Sequence, residues 1–279
     1  MSHQVSRRFA ASLAIAVALL LSTAGAGAAS PLAPLACTAP ANVTKLSAKL
    51  PNTARAIRRG KDLTIVAIGS SSTEGVGASD PAHSYPARLA EELRSRWPRL
   101  NVKVINKGVG GEDTEDMLER FDRDVLPYKP QLVIWQIGSN DALRYTDMYD
   151  FADLIRTGLS RLKTKHTDVI LMDPQYAPLV IQKPLYRAVV DTIRGVANDF
   201  GVGVFQRFAV MRNWVASGEA KVEDLIVNDQ LHMNDQSYAC IARLLADSVN
   251  TAAEATPVTP EVPPAPPKKP SSKAIASVR

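Results

Sequence analysis

Five short apolar runs, at 63–68, 102–106, 132–137, 169–172 and 202–205, recur through the middle of the chain. They are rich in Val, Ile and Leu and nearly unbroken by polar residues, the pattern of strands buried on both faces. Polar-apolar stretches of helical period separate them, at 85–97, 114–126, 148–163 and 184–200. Leu89, Leu93 and Trp97 share one helical face, as do Val189, Ile193 and Val196, with Gly201 closing the second of these helices. A helix near 45–59, interrupted or started at Pro51, precedes the first strand, and a last helix at 235–249 follows Asn234 as N-cap. Alternating strand and helix units predict an α/β fold: a three-layer α/β/α sandwich around a five-stranded parallel sheet. Right-handed crossovers leave few topologies, and the flavodoxin-like order 2-1-3-4-5 is the commonest for five strands.

The two ends of the 279-residue chain differ from this body. Residues 1–29 carry Arg7 and Arg8, an apolar stretch to Leu21 and a small-residue tail, Ala24-Gly-Ala-Gly-Ala28, which together read as a secretory signal peptide. Residues 30–44 form a lead-in, 45–250 the folded domain, and 251–279 a Pro/Lys-rich tail that is too poor in apolar side chains to offset its ordering entropy. The formal charge of +5 lies mostly in the ends. Arg7 and Arg8 contribute two positive charges. Lys268, Lys269, Lys273 and Arg279 against Glu254 and Glu261 contribute two more, leaving one for the body. No basic footprint for nucleic acid remains. An exported protein, periplasmic or secreted, with two cysteines is expected to join Cys37 to Cys240; two buried free thiols are the alternative. A lipid-modified Cys37 is set aside because it stands too far beyond the apolar stretch.

In the predicted order the first strand lies between the second and third, so the loops following these three strands are neighbours at about 4.8 Å strand spacing. The first loop is Gly69-Ser-Ser-Ser-Thr-Glu-Gly75, the second Asn106-Lys-Gly-Val-Gly-Gly-Glu112, the third Gly138-Ser-Asn-Asp141. Ser71 is thereby flanked by hydrogen-bond donors at Gly111 and Asn140. Acyl transfer needs such a setting: a serine that loses its proton on attack, and fixed donors where the carbonyl oxygen gains charge. Of the four histidines, His3 leaves with the leader and His166 precedes the fourth strand at the opposite sheet edge. His83 is near the first loop but has no carboxylate obviously placed to orient it. His232 has Asp229 three residues before it, and in one turn of chain that carboxylate can hold one ring nitrogen while the other faces a serine.

These blocks resemble the SGNH superfamily of GDSL-type esterases and lipases across 63–232. The resemblance implies that Ser71 is the nucleophile, that the Ser71 and Gly111 amides and the Asn140 side chain form an oxyanion hole, and that Asp229 and His232 complete a triad. Ser70 stands where the family commonly has aspartate, and Ser72 where it has leucine. The resemblance implies hydrolysis of carboxylic esters through an acyl-enzyme with no cofactor; no metal-ligand spacing is present either. Acyl transfer to cell-envelope sugars, or a lysophospholipase- or thioesterase-like activity, keeps the same site. The expected substrate is a small-molecule or carbohydrate-linked ester, and the lack of a long apolar insertion favours short acyl groups. Tyr176, in the loop after the fourth strand, is a candidate substrate contact or else a surface turn residue. A phosphate-binding loop is disfavoured because Val76, not Lys, follows Gly75, and no Gly-x-Ser-x-Gly elbow surrounds Ser71.

Overall fold

The computed structural model describes residues 35–60, 62–165 and 167–257. The predicted leader, His166 and the tail beyond 257 lie outside the described residues. Five parallel strands, β1 (Leu63–Gly69), β2 (Val102–Gly108), β3 (Leu132–Gln136), β4 (Asp168–Met172) and β5 (Gly203–Phe205), make one sheet in the order β2-β1-β3-β4-β5. This is the predicted order. β1 pairs with β2 from Leu63↔Val102 to Gly69↔Gly108 and with β3 from Ile65↔Leu132 to Ile68↔Trp135.

Strand residues alternate between two cores. Ile65, Ala67, Ile134, Ile170 and Met172 face a layer formed by helices Pro51–Arg59, Tyr85–Arg96, Arg207–Ala216 and Asp235–Glu254. Val66, Ile68, Val133, Trp135 and Leu171 face helices Thr114–Glu119, Met148–Lys163 and Tyr186–Phe200. The three central strands are covered on both sides, which explains their unbroken apolar runs. Cys37 and Cys240 form a disulfide, with Cα atoms 4.8 Å apart, that ties the lead-in to the last helix. No helix among the described residues is long and apolar enough to cross a membrane.

Two local expectations are corrected, and one helix was not expected. The single helix expected at 114–126 is broken at Arg120 into Thr114–Glu119, Phe121–Asp124 and a 3-10 turn at Leu126–Tyr128. Arg120 leaves helical geometry (φ −97°, ψ 9°), and its buried guanidinium reaches Glu112 Oε2 at 2.6 Å, Lys107 O at 2.8 Å and Gly69 O at 3.2 Å. Anchoring the ends of β1 and β2 from inside thus replaces a continuous helical ladder. The last helix runs to Glu254, a turn beyond its expected end, because Ala252 and Ala253 are buried. Thr256 fastens that end to helix Pro51–Arg59 by accepting from Leu50 N at 3.1 Å. Finally, helix Arg207–Ala216 has no counterpart in the sequence pattern. Five of its six buried residues, Arg207, Phe208, Ala209, Val210 and Met211, are consecutive, so no one-sided helical period shows.

Candidate active site

β1 ends at Gly69 and the chain turns at once into a single helical turn, Ser71–Glu74, with Ser70 in extended geometry as its N-cap residue. The close approach of two backbones makes this possible. A Cβ on Gly108 would lie 1.9 Å from Glu74 N, so the end of β2 admits the turn only as glycine. Ser71 thus opens a helix at the carboxyl end of the sheet, and its amide is one of the first-turn N–H groups without an intrahelical acceptor.

The Asp229–His232 segment arrives from the loop before the last helix. Asp229 Oδ1 accepts from the amides of Leu231 at 2.8 Å and His232 at 2.9 Å, closing a tight turn around Gln230, whose φ of 62° is left-handed. A non-glycine residue held there marks an over-determined loop. Asp229 Oδ2 lies 2.5 Å from His232 Nδ1, and His232 Nε2 lies 2.7 Å from Ser71 Oγ. With Nδ1–H donating to the carboxylate, Nε2 is left as the acceptor of the serine hydroxyl. Burial pushes the Asp229 carboxyl up, but the His232 amide and ring and the Leu231 amide outweigh it. The group sits below the usual carboxylate range and stays ionised. The His232 side chain is 12% exposed and that of Asp229 is 42% exposed, so the relay reaches solvent from the Asp229 side.

Gly138 (φ 92°) begins the helix Ser139–Arg144 that carries Asn140. Asn140 Nδ2 donates to Glu112 O at 2.7 Å, and Arg144 Nη2 donates to Gly111 O at 2.6 Å. The second and third loops are therefore locked to one another around the Gly111–Glu112 peptide. A Cβ on Gly110 would lie 4.0 Å from Ser71 Cβ, which brings the second loop against the serine, while Gly111 (φ 82°) faces open space. Asp141 is fully buried and accepts from Thr114 N, Thr114 Oγ1 and Gly138 N. Desolvation outweighs those donors and raises its carboxyl to about 6.

Ser71, Asp229 and His232 are thus hydrogen-bonded in series, with Asn140 and the glycines of the second loop beside them. Tyr176, half-buried, packs edge-on against Phe208 with ring centroids 5.2 Å apart. His83 requires a correction. A carboxylate does orient it: Asp235 Oδ2 lies 2.8 Å from His83 Nδ1, and Ser79 Oγ is 2.9 Å from the same nitrogen. Asp235 starts the last helix, 152 positions away, where no local spacing could reveal it.

Two buried glutamines and two arginines escaped the sequence reading. Gln136, at the end of β3, accepts at Oε1 from Ser70 N (2.9 Å), Ser70 Oγ (3.0 Å) and Thr73 Oγ1 (3.1 Å). Gln175, past the end of β4, contacts Ser72 and Ser139. The family's aspartate and leucine positions are therefore occupied here by serines whose hydroxyls are taken up by glutamine side chains. The only available signal for Gln136 was an uncharged polar residue within the otherwise apolar run 132–137, and Gln175, three positions past the fourth run, gave none. Arg120 and Arg144 were equally silent, although Arg144 stands four residues after Asn140 on one helical face.

Comparison with known proteins agrees with this architecture. The model of the Non-GDSL lipase-like family matches residues 36–255. An acetylxylan esterase of Geobacillus stearothermophilus is 28% identical over 137 residues, 45% of this chain and 63% of that protein. The Bacillus subtilis (strain 168) protein named "Uncharacterized lipoprotein YqeF" is 36% identical over 84 residues, 30% of this chain and 34% of its own. The chain thus spans under two thirds of the length of either relative. Among solved structures, a two-domain esterase (CEX) active on acetylated mannans superposes with a TM-score of 0.63 at 20% identity, covering 79% of this chain and 58% of that one. At that identity the likeness is one of fold.

Proposed function

The chain belongs to the Non-GDSL lipase-like family, and from that premise we propose that it hydrolyses carboxylic esters, with Ser71 as nucleophile, His232 as general base and Asp229 as the group that orients the imidazole. The observation that carries this reading is the relay itself: Ser71 Oγ 2.7 Å from His232 Nε2, and His232 Nδ1 2.5 Å from Asp229. His232 takes the hydroxyl proton as Ser71 Oγ attacks the ester carbonyl. The resulting oxyanion is held by the Ser71 and Gly111 amides and by the Asn140 N–H not engaged with Glu112. Asp229 stabilises the imidazolium without taking its proton. Collapse expels the alcohol with the proton from His232, and water then cleaves the acyl-enzyme by the same steps in reverse order.

The substrate is a short acyl ester on a carbohydrate or small alcohol. Similarity to an acetylxylan esterase supports this, as does the absence of a long apolar insertion among the elements around the site. The enzyme works outside the cytoplasm as one hydrolase domain, running from about residue 45 to the end of the last helix at Glu254, behind a cleaved leader. That location is supported by the leader pattern of 1–29, by the Cys37–Cys240 bond and by the lipoprotein relative.

The test is hydrolysis of nitrophenyl esters of increasing acyl length, beside acetate release from acetylated xylan. Wild type is expected to prefer the acetate ester. S71A is expected to fall to background, while S70A and S72A retain part of the rate. Full activity in S71A would overturn the assignment, and a preference for long acyl chains would overturn the substrate class.

A further inference from the structure

Ser71, Asn140 and His232 come from segments far apart in sequence, and one buried side chain touches the immediate neighbour of each. Gln175 is 1% exposed. Its Oε1 accepts from Ser72 Oγ at 3.3 Å, from Ser139 Oγ at 2.9 Å and from Arg207 Nη2 at 2.9 Å. Its Nε2 donates to Leu231 O at 3.0 Å. Ser72 follows Ser71, Ser139 precedes Asn140 and Leu231 precedes His232. We infer that Gln175 is a positioning residue that sets the distance between the Ser71 hydroxyl, the Asn140 amide and the His232 ring.

The chemistry suits an amide and nothing simpler. The nucleophile turn and the Asn140 helix both present hydroxyl donors, so they need an acceptor. The histidine loop presents a carbonyl, so it needs a donor. A primary amide offers both at one end of a single side chain. Arg207 holds the acceptor in place: fully buried, it donates Nε to Asp173 O at 3.0 Å and Nη2 to the Gln175 oxygen. A guanidinium donating to that oxygen polarises the amide, which strengthens the Nε2–H bond to Leu231 O. The turn that Gln175 steadies is the one with Gln230 in left-handed geometry, so it has the most to lose if the tether is cut.

The inference rests on the esterase reading, and its test is arranged so the two can fail separately. Wild type and S71A on nitrophenyl acetate test the esterase reading alone. Q175E keeps the acceptor for Ser72, Ser139 and Arg207 but turns an oxygen toward Leu231 O. Q175M keeps the volume and removes every polar contact. The full chain of each is compared in kcat, KM and Tm. Q175E is expected to remain folded with a Tm loss smaller than that of Q175M, with kcat at least tenfold lower and KM within threefold. Q175M is expected to lose more of both kcat and Tm.

A merely structural role predicts that activity follows stability, so a stable Q175E with wild-type kcat overturns the proposal, as does a loss confined to KM. Unfolding of both variants assigns Gln175 to holding the core together and also overturns it.

Discussion

Replacing Gly108 by alanine tests how tightly the sheet edge holds Ser71, the proposed nucleophile. Gly108 pairs with Gly69 at the last register of β1 and β2, and the Ser71–Glu74 turn sits directly on it. The new methyl would meet Glu74 N at 1.9 Å and both Glu74 Cα and Thr73 C at 2.5 Å. All three are backbone atoms, so no side chain can swing aside. Restoring ordinary van der Waals contact requires a shift of about 1.5 Å, against a Ser71 Oγ–His232 Nε2 distance of 2.7 Å. A 1 Å misplacement of a reacting group can cost about 100-fold in rate, so kcat/KM on nitrophenyl acetate is expected to fall at least that far. Overpacking should cost about 1–3 kcal/mol of stability. The matched control is G195A, in the interior of helix Tyr186–Phe200, where a Cβ meets nothing within 4 Å. That substitution should leave activity unchanged and raise stability by up to about 1 kcal/mol. Both variants are assayed by steady-state kinetics and by circular-dichroism melting in the same buffer. If G108A keeps kcat/KM within threefold of wild type, the claim that this backbone contact positions Ser71 is wrong.

N140A removes one proposed oxyanion donor and is expected to lower kcat by about 10²–10³ with a smaller effect on KM; an unchanged kcat would remove Asn140 from the proposed oxyanion hole. Asp141, raised from 3.8 to about 6 by burial, binds its proton more tightly folded than unfolded. Its contribution to stability is therefore complete below about pH 3.8 and lost as pH rises through about 6. The two-unit shift corresponds to roughly 3 kcal/mol. D141N should accordingly flatten the fall in stability between pH 4 and 6, read from urea melts at each pH, and an unchanged slope would refute the raised value. Replacing both Cys37 and Cys240 by alanine reopens a loop of 203 positions and should cost up to about 5 kcal/mol in the same melts with little change in kcat. A stability loss under ~1 kcal/mol would show that the lead-in is held by packing alone.

Much of this arrangement is written locally. Runs such as Leu132–Gln136 and Asp168–Met172 are buried on both faces, so their apolar continuity survives in the sequence. Once the strands are ordered, the loops around Ser71, Gly111 and Asn140 must be neighbours. The Asp229–His232 pair closes within a single turn, so its spacing is visible too. Long-range contacts are what the sequence hides. His83 meets Asp235, and Gln175 meets Ser72, Ser139 and Leu231, only after the sheet has formed. Arg120 looks like an ordinary helix-surface cation until the ends of β1 and β2 close over it. Likewise, helix Arg207–Ala216 shows no period because the core surrounds its first residues.

The reaction of the folded protein with a fluorophosphonate, followed by peptide mass mapping, tests the central assignment most directly. The account predicts a single adduct on Ser71, formed rapidly in wild type, slowed at least 100-fold in H232A and absent in S71A. An adduct on Ser70 or Ser72, or labelling of H232A at the wild-type rate, would contradict it.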